Sequence, residues 1–232
     1  MGILRRRLVG WLLPLLLATG CVLPADAVPQ PELDPALPAP SAALRELDEL
    51  RVIPRPVADS SYRRDAFGPR WADTDGNGCN TRDDVLFRDV DRSVPFDAAQ
   101  QGSCDHDMLA GSWHDPYTGE TLIATDLKDQ QQAQSIQIEH VVALAVAWRY
   151  GARDWDEAAR IEFANDQLNL LAVSGAVNRA KGGQNAAGWR PVRPFQCGYA
   201  LRYVEVKAKW GLAVDNAEKS ALAQMLATCD GF

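Results

Sequence analysis

The chain has 232 residues, 47% hydrophobic and 24% charged, a balance typical of a soluble protein with one domain and its own core. Its net charge of −7 argues against a general nucleic-acid binder, which would carry broad positive potential. An enzyme with a local basic groove is still compatible with this charge. Basic residues gather in the C-terminal half of the chain, at Arg179, Lys181, Arg190, Arg193 and Arg202.

The first 27 residues are predicted to be a signal peptide. A positive stretch at residues 5–7 precedes an apolar segment at 8–17, which is too short to span a bilayer. Two processing sites follow: a lipobox that ends at Cys21, which would then be lipidated, and an A-x-A site that ends at Ala27. Either cleavage predicts an extracytoplasmic protein, as a cell-surface lipoprotein or a freely secreted one. Membrane contact is expected only through the N-terminal lipid.

Residues 28–58 are rich in proline and alanine, which prevents a continuous helix and favours an extended linker. A spacer that holds the domain off a membrane and a disordered leader explain this composition equally well. Leucines at helical spacing indicate a short amphipathic helix over residues 41–52, with Ser41 as its N-cap. The folded domain is predicted to occupy residues 59–232.

Residues 60–110 are dense in Asp, Gly and Asn and are predicted to form loops with short helical turns. Among them, Asp73, Asp75, Asn77 and Asp84 stand at positions one, three, five and twelve of a candidate calcium loop. The twelfth position is aspartate rather than the longer glutamate that binds calcium through both oxygens. The favoured alternative is therefore a tight turn.

The cysteines predict two disulfides. Cys21 leaves the folded domain on cleavage, and the four that remain suit an oxidising compartment. Four cysteines allow three pairings. Cys79–Cys104 and Cys197–Cys229 are preferred because each pair brackets one compact segment. The chain has no C-x-x-C motif, so a thiolate zinc site is not expected.

The rest of the chain alternates short strands with helices, and the predicted class is α+β, mostly helical. Strands are predicted at residues 121–124, 135–138 and 168–173. Helices are predicted at residues 141–150, 156–164, 174–181, 199–210 and 216–228. Asp215 is expected to cap the last helix, with Glu218 three residues on, as in a capping box.

Five polar residues suit one metal site for phosphodiester hydrolysis: Glu139, His140, Asn169, Asn178 and Lys181. Glu139 and Asn178 offer oxygen ligands for Mg²⁺ or Mn²⁺, and His140 can deprotonate water. Asn169 is expected to brace the loop through backbone hydrogen bonds, and Lys181 to reach a phosphate oxygen. Neighbouring side chains point to opposite faces of a strand, but Glu139 and His140 can reach one cleft if the strand ends there.

The segments around Glu139–His140, Asn169–Leu170–Leu171 and residues 178–182 resemble the ββα-metal, or HNH, endonuclease motif in its His–Asn–Asn form. The surrounding pattern resembles exported bacterial HNH proteins related to the C-terminal domain of GmrSD-type restriction endonucleases, over most of residues 60–230. The resemblance implies a ββα-metal core with added helices. In it, Glu139 and Asn178 would bind the metal, His140 would activate water and Asn169 would be structural.

The resemblance also implies an activity: an exported, metal-dependent endonuclease that hydrolyses DNA, and RNA as a further substrate, with low sequence specificity. Mg²⁺ or Mn²⁺ would be the cofactor, Ca²⁺ could occupy a second site, and the protein is expected to be a monomer.

Arg82, in a further resembling stretch, is expected either to contact a phosphate or to pair with an aspartate. Glu139 departs from the commoner aspartate, and the connection from His140 to Asn169 is long. The alternative is an inactive surface module that binds nucleic acid or calcium.

Overall fold

The computed structural model describes residues 34–56 and 60–229, which form a mixed α+β fold. The predicted signal peptide, with Cys21, and the first residues of the predicted linker lie outside the described residues. The helices are α1 (Pro40–Glu49), α2 (Thr81–Asp89), α3 (Gln130–Ser135), α4 (Leu144–Tyr150), α5 (Glu157–Ala164), α6 (Gly175–Lys181), α7 (Gln196–Lys209) and α8 (Asn216–Leu226). The strands are β1 (Asp97–Gln101), β2 (Cys104–His114), β3 (Thr121–Ala124), β4 (Ile136–His140) and β5 (Leu170–Ser174). Within the two described ranges, no helix is long and apolar enough to cross a membrane.

Helix α1 lies within the range predicted as a linker, yet it belongs to the folded domain. Its Ala43 and Leu47 are buried against α7 and α8. The segment that follows is tied to the same core, because the amide of Ile53 donates to the carbonyl of Val214 at 2.9 Å. The short helix predicted over residues 41–52 is confirmed as α1, but its N-cap is Ala39 rather than Ser41. Residues 40–53 pack on the core instead of forming an extended linker. The buried leucine and alanine stripe of the helix outweighs the proline-rich composition around it.

A three-stranded antiparallel sheet in the order β1–β2–β3 forms one side of the molecule. The prediction of loops over residues 60–110 is wrong here, because β1 and most of β2 lie in this range. Strand β2 begins with the polar run Asp105–His106–Asp107, which hides the strand signal, but its Met108 and Trp113 are buried. The indole of Trp113 donates to the carbonyl of Leu86 at 2.8 Å and so attaches α2 to the sheet.

Strands β4 and β5 pair in antiparallel fashion, and α6 follows β5 without a loop. His140 pairs with Leu170 at one end of this ladder and Ile136 with Ser174 at the other. Gly175 makes the sharp entry into α6 possible, because a Cβ there would collide with the carbonyl oxygen of Gln134. Helices α4 and α5 are inserted between the two strands. Residues distant in sequence, at positions 139–140 and 169–181, are thereby placed side by side.

The main core lies behind this β4–β5–α6 unit, where α4, α7 and α8 pack together.

Both predicted disulfides are confirmed: Cys79–Cys104 fastens the loop before α2 to the start of β2, and Cys197–Cys229 ties the start of α7 to the end of α8. The core also encloses an ion pair between Lys207 and Glu218 at 2.8 Å, with both side chains fully buried. The predicted N-cap is confirmed, since Asp215 accepts a hydrogen bond from the amide of Glu218, but the carboxylate of Glu218 bonds to Tyr203 and Lys207 and so does not complete a capping box.

Candidate active site

A cleft of about 520 Å³ opens along β4 and the start of α4. Glu139, His140 and Asn178 all line it. Asn169 and Lys181 are fully buried and do not reach its wall. The structure therefore brings three of the five predicted residues to one surface and places the other two behind them.

Glu139 and His140 share the cleft because β4 ends at His140. The strand is longer than the predicted 135–138, and the helix that follows starts at Leu144 rather than at residue 141. Residues 141–143 thus form a bend between strand and helix, and the alternation of strand faces ends at His140. Glu139 and His140 are each only 5% exposed, so the groups at the end of the strand are held in a largely dry environment.

His140 is fixed in one tautomer by its contacts. Its Nε2 lies 2.8 Å from the carbonyl oxygen of Ala164, and since a carbonyl can only accept, Nε2 must carry the proton. The lone pair is therefore on Nδ1. Burial, with a smaller contribution from the nearby charge of Arg64, lowers the pKa of His140 to about 3. The imidazole is consequently neutral at physiological pH, which is the form required of a general base.

Asn169 holds the turn that follows His140. Its side-chain oxygen accepts from the amide of Val142 at 2.8 Å, and its side-chain nitrogen donates to the carbonyl of the same residue at 3.2 Å. Its backbone carbonyl accepts from Val141 at 2.9 Å. These three bonds fix the backbone of residues 141 and 142 in the bend that precedes α4. The position matches the bracing role expected of this asparagine.

Lys181 lies on the buried side of Glu139 rather than on the cleft. Its ammonium donates to Oε1 of Glu139 and to the carbonyl of His140, the latter at 3.0 Å. The predicted phosphate contact does not fit this position, because α6 packs against β4 and directs the side chain into the interior. Burial raises the pKa of Glu139, while the charge of Lys181 and its hydrogen bond act in the opposite direction.

Asn178 is oriented by Gln137, a residue that the sequence reasoning missed. The Gln137 side-chain nitrogen donates to the carbonyl of Gln134 at 3.2 Å, which leaves its oxygen as an acceptor. That oxygen accepts from Nδ2 of Asn178 at 3.0 Å. Since the amide nitrogen of Asn178 is engaged in this bond, its oxygen is the atom available as a ligand. Gln137 lies two residues before Glu139, and strand periodicity could have placed it on the same face.

The donor set fits a small hard cation. Glu139 and Asn178 line the same cleft, and their carboxylate and amide oxygens are ligands of the kind that Mg²⁺ and Mn²⁺ prefer. Mg²⁺ is commonly held by few protein ligands and completes its shell with water and substrate phosphate. Cys79, Cys104 and His106 also lie close together, but the two sulfurs are joined in a disulfide and are not thiolate ligands.

Three arginines line the same cleft: Arg64, Arg70 and Arg82. They differ from the basic residues that the sequence singled out near Asn178, which have other neighbours. Arg202, for example, pairs with Asp34 at 2.7 Å, and Arg190 donates to Gln224 at 2.9 Å. Arg82 lies 3.5 Å from Asp83, which confirms the expected pairing with an aspartate, and it also lines the cleft, so the expected phosphate contact stays a prediction. Arg64 and Arg70 sit about 70 residues from Glu139 in sequence, so proximity along the chain gave no signal for them.

The candidate calcium loop is closed on itself. Both side-chain oxygens of Asp73 accept backbone amides, from Gly76 at 2.8 Å and Gly78 at 3.0 Å. Asn77 accepts from the amide of Cys79 and donates to Asp84 at 3.0 Å. These bonds within the loop favour the tight turn over the calcium site, because they occupy the oxygens that an ion would need.

Comparisons with known proteins place this chain in a family. Residues 81–225 match the model for GmrSD restriction endonucleases, C-terminal domain. An "Uncharacterized secreted protein" of Arthroderma benhamiae is 41% identical over 205 residues, which cover 87% of this chain and 90% of the relative. No solved structure matches. The chain belongs to the family of GmrSD restriction endonuclease C-terminal domains, which links it to nucleases. The expected likeness to bacterial proteins finds no support in the relative, which is fungal.

Proposed function

We propose that this protein is an extracytoplasmic, metal-dependent endonuclease of the HNH type that hydrolyses phosphodiester bonds. The observation that carries the proposal is the neutral His140, with its Nδ1 lone pair, in one cleft with two oxygen ligands and three arginines. The strand–strand–helix order of β4, β5 and α6 corresponds to the ββα-metal core that the sequence resembles. Family membership supports the nuclease assignment, and the geometry supports the particular residues.

In this proposal each residue around the cleft has a chemical task. Nδ1 of His140 takes a proton from water as the oxygen attacks phosphorus in line, and the bond from phosphorus to the leaving oxygen then breaks. Arg64 and Arg70 bind oxygens of the phosphate that the water attacks. Glu139 and Asn178 would hold Mg²⁺ or Mn²⁺, which supplies charge neutralisation when bound. Lys181 holds Glu139 in place from behind, and Asn169 keeps His140 at the end of its strand.

The same geometry bears on substrate and location. Arginine contacts to phosphate carry no sequence information, so DNA, and RNA as a second substrate, would be cleaved with low specificity. The two disulfides and the secreted relative support a location outside the cytoplasm. Whether Cys21 is lipidated is testable by intact mass of the mature protein, which we expect to act as a monomer. Ca²⁺ at the loop over residues 73–84 is not part of the proposal.

A nicking assay tests the activity. Supercoiled plasmid is incubated with the protein and Mg²⁺, Mn²⁺ or EDTA, comparing wild type with His140→Ala and with the control His114→Ala, an exposed histidine away from the cleft. We expect wild type and His114→Ala to nick with a divalent ion only, and His140→Ala to be about 10²- to 10⁴-fold slower. Equal nicking by all three proteins, or no cleavage by wild type of either the plasmid or a single-stranded circular DNA, would leave the inactive binding module as the better description.

The pH dependence of kcat/KM gives an independent check on His140. With its pKa lowered to about 3 by burial, the imidazole stays unprotonated well below pH 6.5. We therefore expect the acidic limb of the profile to lie below about pH 5 rather than near the ordinary value for histidine. A limb at pH 6 to 7 that disappears in His140→Ala would contradict the buried environment described for this residue.

A further inference from the structure

The cleft does not end at the catalytic residues but continues past Trp71 into a second cavity of about 360 Å³, here called the side lobe. Arg70, Trp71 and Arg82 line both spaces. The far wall of the side lobe is formed by Gln101 and Lys128, on the three-stranded sheet and its last turn. A bound strand that leaves the cleft in this direction would therefore enter the side lobe next.

The chemistry of the side lobe differs from that of the cleft, because two of its three lining cations, Lys128 and Arg82, are paired with carboxylates, while the third, Arg70, lines both spaces. Lys128 contacts both carboxylate oxygens of Asp107, at 2.7 and 2.6 Å, and Arg82 lies 3.5 Å from Asp83. A phosphate group in this space would face two carboxylates. The amino and imino groups of a nucleobase, in contrast, donate hydrogen bonds that carboxylates and the amide of Gln101 can accept.

Trp71 stands at the junction of the two spaces. Its ring lies parallel to that of His140, with a 9° angle between the planes and 6.0 Å between the centroids. It is also the one non-glycine residue with positive φ (59°) in the described part of the chain. A bulky residue in this left-handed region is uncommon, and such conformations cluster at ligand sites, where they fix a side chain in an otherwise unfavourable position.

We propose that the side lobe binds an unpaired nucleobase next to the scissile phosphate, with Trp71 as the stacking platform. The inference rests on the proposed function and narrows its substrate class to single-stranded or unpaired nucleic acid. A base within a duplex has both faces covered by its neighbours, so it cannot stack on Trp71 unless the strand opens. Stacking accepts every base, which agrees with the low sequence specificity proposed above.

The experiment measures binding with catalysis switched off. Fluorescence anisotropy follows His140→Gln, a planar replacement under Trp71, with three labelled ligands: an eight-residue thymidine oligonucleotide, an abasic eight-residue strand and a blunt hairpin duplex. Trp71→Ala, Trp71→Phe and Gln101→Ala are added to this background. Gln101 is the exposed last residue of β1, so its replacement keeps the test valid if Trp71→Ala misfolds.

We expect Trp71→Ala to weaken binding of the thymidine strand about 5- to 100-fold, with most of the affinity kept by Trp71→Phe. Gln101→Ala should weaken the same ligand roughly 2- to 10-fold. Neither change should alter the weaker binding of the abasic strand, and the duplex should bind less tightly than the thymidine strand.

Two failures remain distinguishable. In the first, wild type nicks plasmid while the variants weaken binding of the abasic and thymidine strands to the same extent, or weaken binding of neither strand. In either case the base-binding inference is wrong and the nuclease proposal stands. The same holds if the duplex binds as tightly as the thymidine strand, or if the thymidine strand does not bind. If wild type cleaves no nucleic acid but Trp71 and Gln101 show the expected base-dependent losses, the nuclease proposal fails and the side lobe is a nucleobase site.

Discussion

The β4–β5–α6 unit and the loop over residues 73–84 carry the same kinds of oxygen ligand but use them differently. In the loop, the carboxylate of Asp73 bonds to amides three and five residues further along the chain. In the strand–helix unit, the partners of Glu139 and Asn178 are side chains about 40 residues away, on other elements. Carboxylate and amide side chains that are close in sequence can accept hydrogen bonds from nearby backbone amides and so form a tight turn. Ligand residues that strand pairing brings together are held from behind and present oxygens to a cleft.

The largest expected effect comes from removing the support behind Glu139. Lys181→Met would leave a buried carboxylate without its charge partner, so we expect a loss of about 3 to 5 kcal/mol in the free energy of unfolding, measured by urea denaturation. Lys207→Met is a matched control, because it breaks an equally buried pair with Glu218 in the helical core. Both variants should be destabilised, but only Lys181→Met should lose nicking activity under conditions where both are folded. Equal activities would show that Lys181 is merely structural.

Asn169→Ala should have the next largest effect. It leaves the buried amide and carbonyl of Val142 without partners, and each unsatisfied group costs roughly 1 to 3 kcal/mol. We expect a total loss of about 2 to 4 kcal/mol in the free energy of unfolding, together with slower catalysis as His140 loses its fixed position. Asn216→Ala, at an exposed helix start, should change stability by less than about 0.5 kcal/mol. A stable Asn169→Ala protein with normal activity would contradict the bracing role.

A smaller effect is expected where the loop meets strand β2. His106 lies between Asp84 at 2.6 Å and Asp105 at 2.8 Å, and although burial acts against it, these two carboxylates raise the pKa of His106. A raised pKa means that the stabilisation is fully present below about pH 6.5 and is lost as the pH rises through the folded-state value.

His106→Gln should therefore reduce the free energy of unfolding by at most about 1 kcal/mol at pH 5.5, since the exposed Asp105 is screened by water, and by less at pH 9. Thermal unfolding at the two pH values measures the difference, with His114→Gln as the control. A larger effect at pH 9 than at pH 5.5 would refute this interpretation.

The smallest effect is expected from calcium. Because the oxygens of the loop over residues 73–84 bond to its own amides, millimolar Ca²⁺ should leave the thermal unfolding midpoint of wild type unchanged. Asp75→Ala should behave in the same way with and without the ion. A specific site at 100 times its Kd would instead add about 2.7 kcal/mol to the free energy of unfolding. Such a gain, absent from Asp75→Ala, would restore the calcium interpretation and remove the contrast with the cleft.

The sequence alone was sufficient wherever the signal was local. Apolar spacing predicted α7 and α8, and the capping pair Asp215–Glu218 marked the start of α8 within a residue of its observed position. The disulfide pairing followed from compact spacing, and the motif residues Glu139, His140 and Asn178 do share one cleft. These features depend on short-range periodicity, turn chemistry or a recognisable motif, all of which are written in neighbouring residues.

Tertiary structure decided what depends on long-range packing. The sequence marked Lys181 as a phosphate contact, but the docking of α6 on β4 turns it towards Glu139. It gave no sign that Arg64, Arg70 and Trp71 reach the cleft, because no local pattern records which loop will cross a strand end 70 residues away. The polar run at residues 105–107 also gave no sequence signal for strand β2. These residues are in a strand because β2 pairs with β1 and because the Cys79–Cys104 disulfide holds its start. Residue chemistry thus determined which groups were available, and packing determined which of them face the cleft.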